Sequence, residues 1–308
     1  MAIAFVFPGQ GSQHVGMGRD LYDASAAARA VFEQADAALG FSLTQLCFEG
    51  PEAALTATEN AQPALLACSI AALAALREAG YTAEPALVAG HSLGEYSALV
   101  AAGALDVATA LRLVRRRGEL MAEAHQGGMA AVIGMSEDAL EAVCADASES
   151  HEPVVIANYN SPGQLVISGA TAAIERASAL AKARGAKRAL PLKVSAAFHS
   201  PLMRAAAEGL APAIAEAAIA DARVPVVSNV LASPLSDARQ LHAELVAQVT
   251  SPVRWIASVQ YMAAHGVDSF LEIGPGTVLT GLIKRIEPGA QLVNVGDLAS
   301  LRAFVGHS

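Results

Sequence analysis

Short apolar runs alternate along this chain with longer alanine- and leucine-rich stretches that stop at glycine. The runs 3–7, 86–89, 224–227, 269–273 and 292–295 are short and apolar, as strands buried on both faces must be. The stretches 61–79 and 95–102 close at Gly80 and Gly103, the residue type that most easily ends a helix. Such strands separated by helices predict an α/β fold with a mostly parallel sheet. Between 127 and 194 the rhythm changes. Strand 129–133, helix 137–145, strands 153–157 and 165–168, helix 171–184 and strand 188–193 follow one another, with Asn160-Ser161-Pro162-Gly163 as the turn between the paired strands. That β-α-β-β-α-β order is the ferredoxin-like pattern. It predicts a small subdomain at 127–195 inserted into a large one at 1–126 and 196–308, with crossings at Gly127-Gly128 and near Ser195.

Composition narrows the class. The 308 residues are 54% hydrophobic and 16% charged, enough for a large core and too apolar for bulk disorder. A net charge of −9 argues against a nucleic-acid partner, so an anionic partner would have to meet a local basic patch. Cys47, Cys68 and Cys144 are odd in number and form no C-x-x-C, which fits reduced thiols in the cytoplasm. The histidines show no metal-binding spacing, so no metal is expected. The longest nearly apolar stretch, 64–76, is shorter than the ~20 residues that span a bilayer, and no membrane association is expected.

Two stretches carry candidate chemistry. Directly after the first apolar run comes Pro8-Gly9-Gln10-Gly11-Ser12-Gln13, with Gly16 and Gly18 just beyond. It is no dinucleotide loop, because the third glycine would fall at His14. Nor is it a P-loop, because no lysine precedes Lys182. The second stretch is Gly90-His91-Ser92-Leu93-Gly94, between a predicted strand and a predicted helix. That is the context of a nucleophile elbow, in which two glycines permit the tight turn that lifts a serine from the sheet end. The fold expected of the large unit is therefore α/β-hydrolase-like. A serine needs a base. His91 leaves the elbow in another direction and is expected to pack, whereas His199, just after the chain returns to the large unit, is the better candidate.

Taken in order, Pro8–Gln13, Gly90–Tyr96, Arg117-Gly118, Ala197-Phe198-His199-Ser200 and Gln248–Trp255 resemble the malonyl-CoA:acyl-carrier-protein transacylases over nearly the whole chain. These are acyltransferases of bacterial fatty-acid synthesis, and their domain recurs in polyketide synthases. The resemblance implies a Ser92–His199 dyad without a third acid, His199 being oriented by the backbone carbonyl of Gln248. It implies an oxyanion hole from the N–H groups of Gln10 and Leu93, with the glycines keeping that approach clear. Arg117 would grip the malonyl carboxylate with its planar fork, while its neighbours Arg115 and Arg116 face solvent. Asp268 and Glu272 are expected to be structural. Phe198 and Leu93 would favour malonyl over methylmalonyl, a preference worth about 1–3 kcal/mol for one methyl group.

The implied reaction is ping-pong, with malonyl-CoA and phosphopantetheinylated carrier protein as substrates, no cofactor, and a monomeric enzyme. An esterase or thioesterase shares the elbow, and a polyketide or malonate-decarboxylase acyltransferase shares the chemistry. A non-catalytic scaffold would have no use for Ser92, His199 and Arg117 together. Carrier proteins are acidic, so docking needs basic groups near the mouth. Lys187 and Arg188, near Lys182 and Arg184, form one candidate cluster, and Lys284 and Arg285 form the other.

Overall fold

The computed structural model describes residues 2–124, 126–194 and 196–306, so the crossing expected near Ser195 lies partly outside the described residues. The strands are β1 (Ala2–Phe7), β2 (Leu87–Gly90), β3 (Gly128–Ile133), β4 (Val154–Ser161), β5 (Gln164–Gly169), β6 (Arg188–Pro191), β7 (Val226–Val227), β8 (Pro234–Leu235), β9 (Val267–Ile273) and β10 (Gln291–Val295). They form a six-stranded sheet in the order β10-β9-β1-β2-β7-β8 and a four-stranded sheet in the order β4-β5-β3-β6. The larger sheet is parallel except at its β7-β8 edge, and the smaller is antiparallel.

The wholly apolar strands follow from burial on both faces. In β1, Phe5 and Phe7 enter one core cluster while Ala4 and Val6 enter the other, so the two-residue side-chain period serves two cores at once. The first core is filled by the helix Thr58–Glu78, which is long and apolar enough by composition to cross a membrane. It is instead a core helix, with 78% of its most apolar window buried inside the protein. The second core runs from the other face of the large sheet into the small one, where the helices Glu137–Ala147 and Thr171–Ala183 add Leu140, Val143 and Ala177. Backbone also stitches β4 to the segment before the helix Trp255–Ala264, since Val253 N–H donates to Ala157 O at 2.8 Å and Tyr159 N–H to Val253 O at 2.9 Å.

Strand β7, between β2 and the edge strand β8, is shorter than the apolar run 224–227 suggests, because Pro225 has no N–H to give a ladder. The helices Arg19–Ala24, Ala26–Leu39, Leu43–Glu49 and Glu52–Thr56 have no counterpart in the sequence reading. Two of them are announced by serine caps, Ser25 accepting from Ala28 N–H and Ser42 from Gln45 N–H.

Register decides where the site lies. Phe7 pairs with Gly90, so the loop after β1 and the turn after β2 leave the sheet side by side at its carboxyl edge. Both glycines of that turn are required by backbone contact. A Cβ at Gly90 would stand 1.9 Å from Gly94 C, and one at Gly94 would stand 2.1 Å from Phe7 O. Gly94→Ala should therefore lose several kcal/mol or fail to fold. Gly281→Ala, in open space within a helix, should gain about 1 kcal/mol. Denaturant titration of both variants checks this, and a Gly94→Ala protein of wild-type stability would contradict the contact.

Candidate active site

The turn after β2 leads straight into the helix Gly94–Ala101, and Ser92 at its apex has a φ of 52°, in the left-handed region that non-glycine residues avoid. His199 is held in the same region, with a φ of 56°. Such a conformation costs on the order of 1–3 kcal/mol at each residue and persists only where the surroundings impose it. Its result is a short contact between remote parts of the chain. Ser92 Oγ lies 2.7 Å from His199 Nε2.

The tautomer is set from behind. His199 Nδ1 lies 3.0 Å from Gln248 O and 3.1 Å from Ser251 O, and carbonyls only accept, so Nδ1 carries the hydrogen and Nε2 keeps its lone pair for the serine hydroxyl. The carbonyl of Ser251 went unnoticed in the sequence because a backbone acceptor has no residue signature. Burial, and then the nearby charge of Arg117, push the imidazole pKa down to about 3. The ring is a neutral acceptor at physiological pH.

Arg117 projects from the helix Val107–Glu123 and is buried, with 1% of its surface exposed. Nη1 donates to Gln62 Oε1 at 2.8 Å, and Nη2 donates to Gln248 Oε1 at 3.0 Å and to Ser92 Oγ at 3.1 Å. All three acceptors are neutral, so the fork reaches the serine without a carboxylate bonded to it. Arg116 is half-exposed, as expected, but Arg115 is not a free surface group. It donates to Glu119, Glu59 O and Asn60 Oδ1 and lies over the Phe41 ring, tying this helix to the helix Thr58–Glu78.

These groups open into a cavity of about 380 Å³ lined by Gln10, Leu93, Phe198, Met121 and Asn160 among others. Among the described residues, the N–H groups of Gln10 and Leu93 have no protein acceptor. The first glycine-rich loop is bare for two different reasons. A Cβ at Gly9 would stand 2.5 Å from His91 O, whereas one at Gly11 would meet nothing within 4 Å. Gly9 thus lets the loop lie on the elbow, and Gly11, with a φ of 105°, makes the turn. His91 packs against Trp255 and lies 2.8 Å from Asn160 Oδ1 through Nε2.

The family described as "Acyl transferase domain" matches residues 4–299. A malonyl CoA-acyl carrier protein transacylase of Bacillus subtilis is 50% identical over 298 residues, covering 96% of this chain and 93% of that one. The chain belongs to the malonyl CoA-acyl carrier protein transacylase family. The solved acyl-carrier-protein S-malonyltransferase of Burkholderia pseudomallei superposes with a TM-score of 0.96 at 45% identity, covering 99% of this chain and 100% of that one. A malonyl-transacylase solved in complex with its type II PKS acyl-carrier protein superposes equally well, with a TM-score of 0.96 at 44% identity over the full length of both chains.

Within this transacylase framework the expected residues fall into two groups. Ser92, His199, Arg117, Gln10, Leu93 and Phe198 line the one cavity, and Gln248 stands behind it, bonded to Arg117 and His199. Lys187, Arg188 and Arg285 line a second, more open cavity of about 730 Å³ that shares Gln164 with the first, and Arg285 donates to Gln164. Lys284 is exposed beside it on the helix Val278–Ile286, whereas Arg184 is paired with Asp146 at 2.6 Å. Glu272 accepts from the N–H groups of Leu279 and Thr280 and so fixes the start of that helix. Asn229, Gln62 and Glu95 also serve the site and were not singled out in the sequence. No short motif distinguishes a buried polar residue that bonds across the fold.

The buried His199 makes one clear expectation. In an NMR titration its ring signals should show no inflection near the ordinary 6.5. Above that pH folded and unfolded forms are both neutral and the group is silent. Between 6.5 and about 3 the unfolded chain takes a proton that the folded one refuses, so stability should fall as pH drops through this window. An inflection near 6.5 would mean that the ring is open to water.

Proposed function

We propose that this acyltransferase moves a malonyl group from coenzyme A to the phosphopantetheine thiol of an acyl carrier protein, in fatty-acid synthesis, through an ester on Ser92. The observation that carries the reading is Arg117, a buried guanidinium 3.1 Å from Ser92 Oγ whose bonded acceptors are all neutral. A cation withdrawn from water is best matched by a carboxylate, and a malonyl thioester brings one to this spot. The elbow alone would serve an esterase equally well, but an ordinary ester has nothing for that fork to hold. The names of the relatives support malonyl transfer, and the neighbour bound to a carrier supports the partner.

In the first half-reaction Ser92 Oγ attacks the thioester carbonyl and its proton passes to His199 Nε2. The oxyanion rests against the N–H groups of Gln10 and Leu93. The C–S bond breaks, His199 returns the proton to sulfur, and coenzyme A leaves as the thiol. The carrier thiol then gives its proton to His199 and attacks the ester, and Oγ departs and takes that proton back. Every bond and proton is supplied by these side chains and the two thiols, so the steps use no cofactor. All of the groups come from one chain, consistent with a monomer. The three buried free cysteines suit a reducing cytoplasm. Phe198 and Leu93, on the wall of the cavity, favour malonyl over its methyl homologue. We also read the four-stranded sheet and its two helices as a ferredoxin-like insertion at 127–195, within an α/β-hydrolase-like unit at 1–126 and 196–308.

Intact mass after mixing with malonyl-CoA tests the reading. Wild type should gain one malonyl group and Ser92→Ala none, while Arg117→Ala should still gain acetyl from acetyl-CoA but lose malonylation. A malonyl adduct on Ser92→Ala would move the nucleophile elsewhere.

The basic groove beside the mouth suits the acidic carrier, which a net charge of −9 would otherwise repel. Reversing Lys187, Arg188, Lys284 and Arg285 to Glu should raise KM for the carrier roughly 10-fold or more at low salt. The acylation rate at saturating malonyl-CoA should stay unchanged. A wild-type carrier KM in the reversed enzyme would place docking elsewhere.

A further inference from the structure

Beneath the elbow lies a buried acid that the two half-reactions do not use. Glu95 stands in the first turn of the helix Gly94–Ala101, with 1% of its surface exposed. Its Oε1 accepts the backbone N–H of Asn229 at 3.0 Å, and its Oε2 accepts from Gln248 Nε2. Each of these two partners then reaches the reacting groups. Asn229 Oδ1 accepts Ser92 N–H at 2.7 Å, and Asn229 Nδ2 donates to Gly90 O at 2.7 Å, clamping both sides of the turn. Gln248 Nε2 donates to Ser92 O at 3.0 Å, its Oε1 takes the Arg117 fork, and its backbone carbonyl faces His199 Nδ1.

We propose that Glu95 is a positioning residue of this site, whose two carboxyl oxygens hold Asn229 and Gln248 and through them Ser92, His199 and Arg117. The inference rests on the Ser92 reading above. The chemistry requires an acid at this position. Both neighbours present donors, and a carboxyl offers two acceptor oxygens where a glutamine offers one. An isosteric amide can therefore satisfy Asn229 or Gln248, never both.

A second buried carboxyl, Glu244, touches Glu95 and accepts Val230 N–H at 3.0 Å. Burial, and then the neighbouring carboxyl, hold Glu95 well above the ordinary carboxylate range. Glutamine at 244 would keep an oxygen for Val230 and offer Glu95 an N–H donor.

The test is single-turnover acylation of Glu95→Gln and Glu244→Gln, with malonyl-CoA and acetyl-CoA, expressed per folded molecule from a melting curve on the same sample. Glu95→Gln should acylate about 10- to 100-fold more slowly with both donors, since misplacing the nucleophile and its base harms either acyl group. Glu244→Gln should acylate near the wild-type rate. A merely structural Glu95 would lower the melting temperature and leave the rate per folded molecule unchanged, and that result overturns the proposal. If Glu95→Gln does not fold, Glu95→Asp gives the same readout, because it keeps both oxygens but withdraws them by one methylene; a wild-type rate there overturns it equally. Ser92→Ala run alongside separates the two readings. If its adduct is lost while Glu95→Gln keeps the wild-type rate, only the Glu95 proposal falls.

Discussion

One backbone crossing governs the site. The helix Gly94–Ala101 starts so close to the end of β1 that Gly94 rests on the Phe7 carbonyl, and Gly90 rests on Gly94 in turn. No side chain larger than hydrogen fits at either point, and the chain between them must therefore turn within Ser92. The positive φ of that serine is the consequence, and with it the exposure of Oγ at the carboxyl edge of the sheet. The first loop joins the same crossing, because Gly9 lies on the His91 carbonyl. Steric contact among backbones, rather than any side-chain bond, thus fixes where the hydroxyl points. Polar residues such as Asn229 and Gln248 then hold what the crossing has placed.

How much of this was legible in the sequence follows from the kind of force involved. Apolar periodicity is local, so the central strands and the β-α-β-β-α-β order could be read with bounds off by a few residues. Steric glycines leave a motif, so the elbow could be read as well. The residues that resemblance supplied, Arg117, Gln248 and His199, come together within bonding distance of Ser92 or of one another. Glu95, in the middle of a motif already noticed, still gave no sign of its bonds, because Asn229 and Gln248 stand 134 and 153 residues away. The glycines of the opening loop carry a second role that spacing did not reveal. Spacing could show that they hold no phosphate but not that Gly9 serves packing.

On the proposed reading, the electrostatics of the pair explain how a dyad can do without a third acid. An aspartate behind the histidine would stabilise an imidazolium, but here two neutral carbonyls stand at Nδ1 and a buried cation stands nearby. The resting ring is consequently a reluctant base. In the first half-reaction the departing thiol, with an ordinary pKa of about 8.5, asks less of its general acid than an alcohol or amine would. In the second, the departing Oγ is protonated by an imidazolium whose low pKa makes it a strong acid.

The cation also makes basicity depend on what fills the cavity. After burial, the charge of Arg117 is the largest influence lowering the pKa of His199. A carboxylate seated on the guanidinium opposes that charge at close range in a site with little water, where Coulomb terms are several-fold stronger than in bulk. On the proposed reading, a malonyl group bound there restores part of the basicity that the empty site withholds, while an acyl group without a carboxylate leaves the ring as it was. On that reading, the contact that selects the substrate also strengthens the base that takes the proton of the attacking Ser92. Discrimination between malonyl and acetyl would thereby enter the chemical step as well as binding, which is where an interaction must act if it is to raise a rate rather than merely retain a ligand.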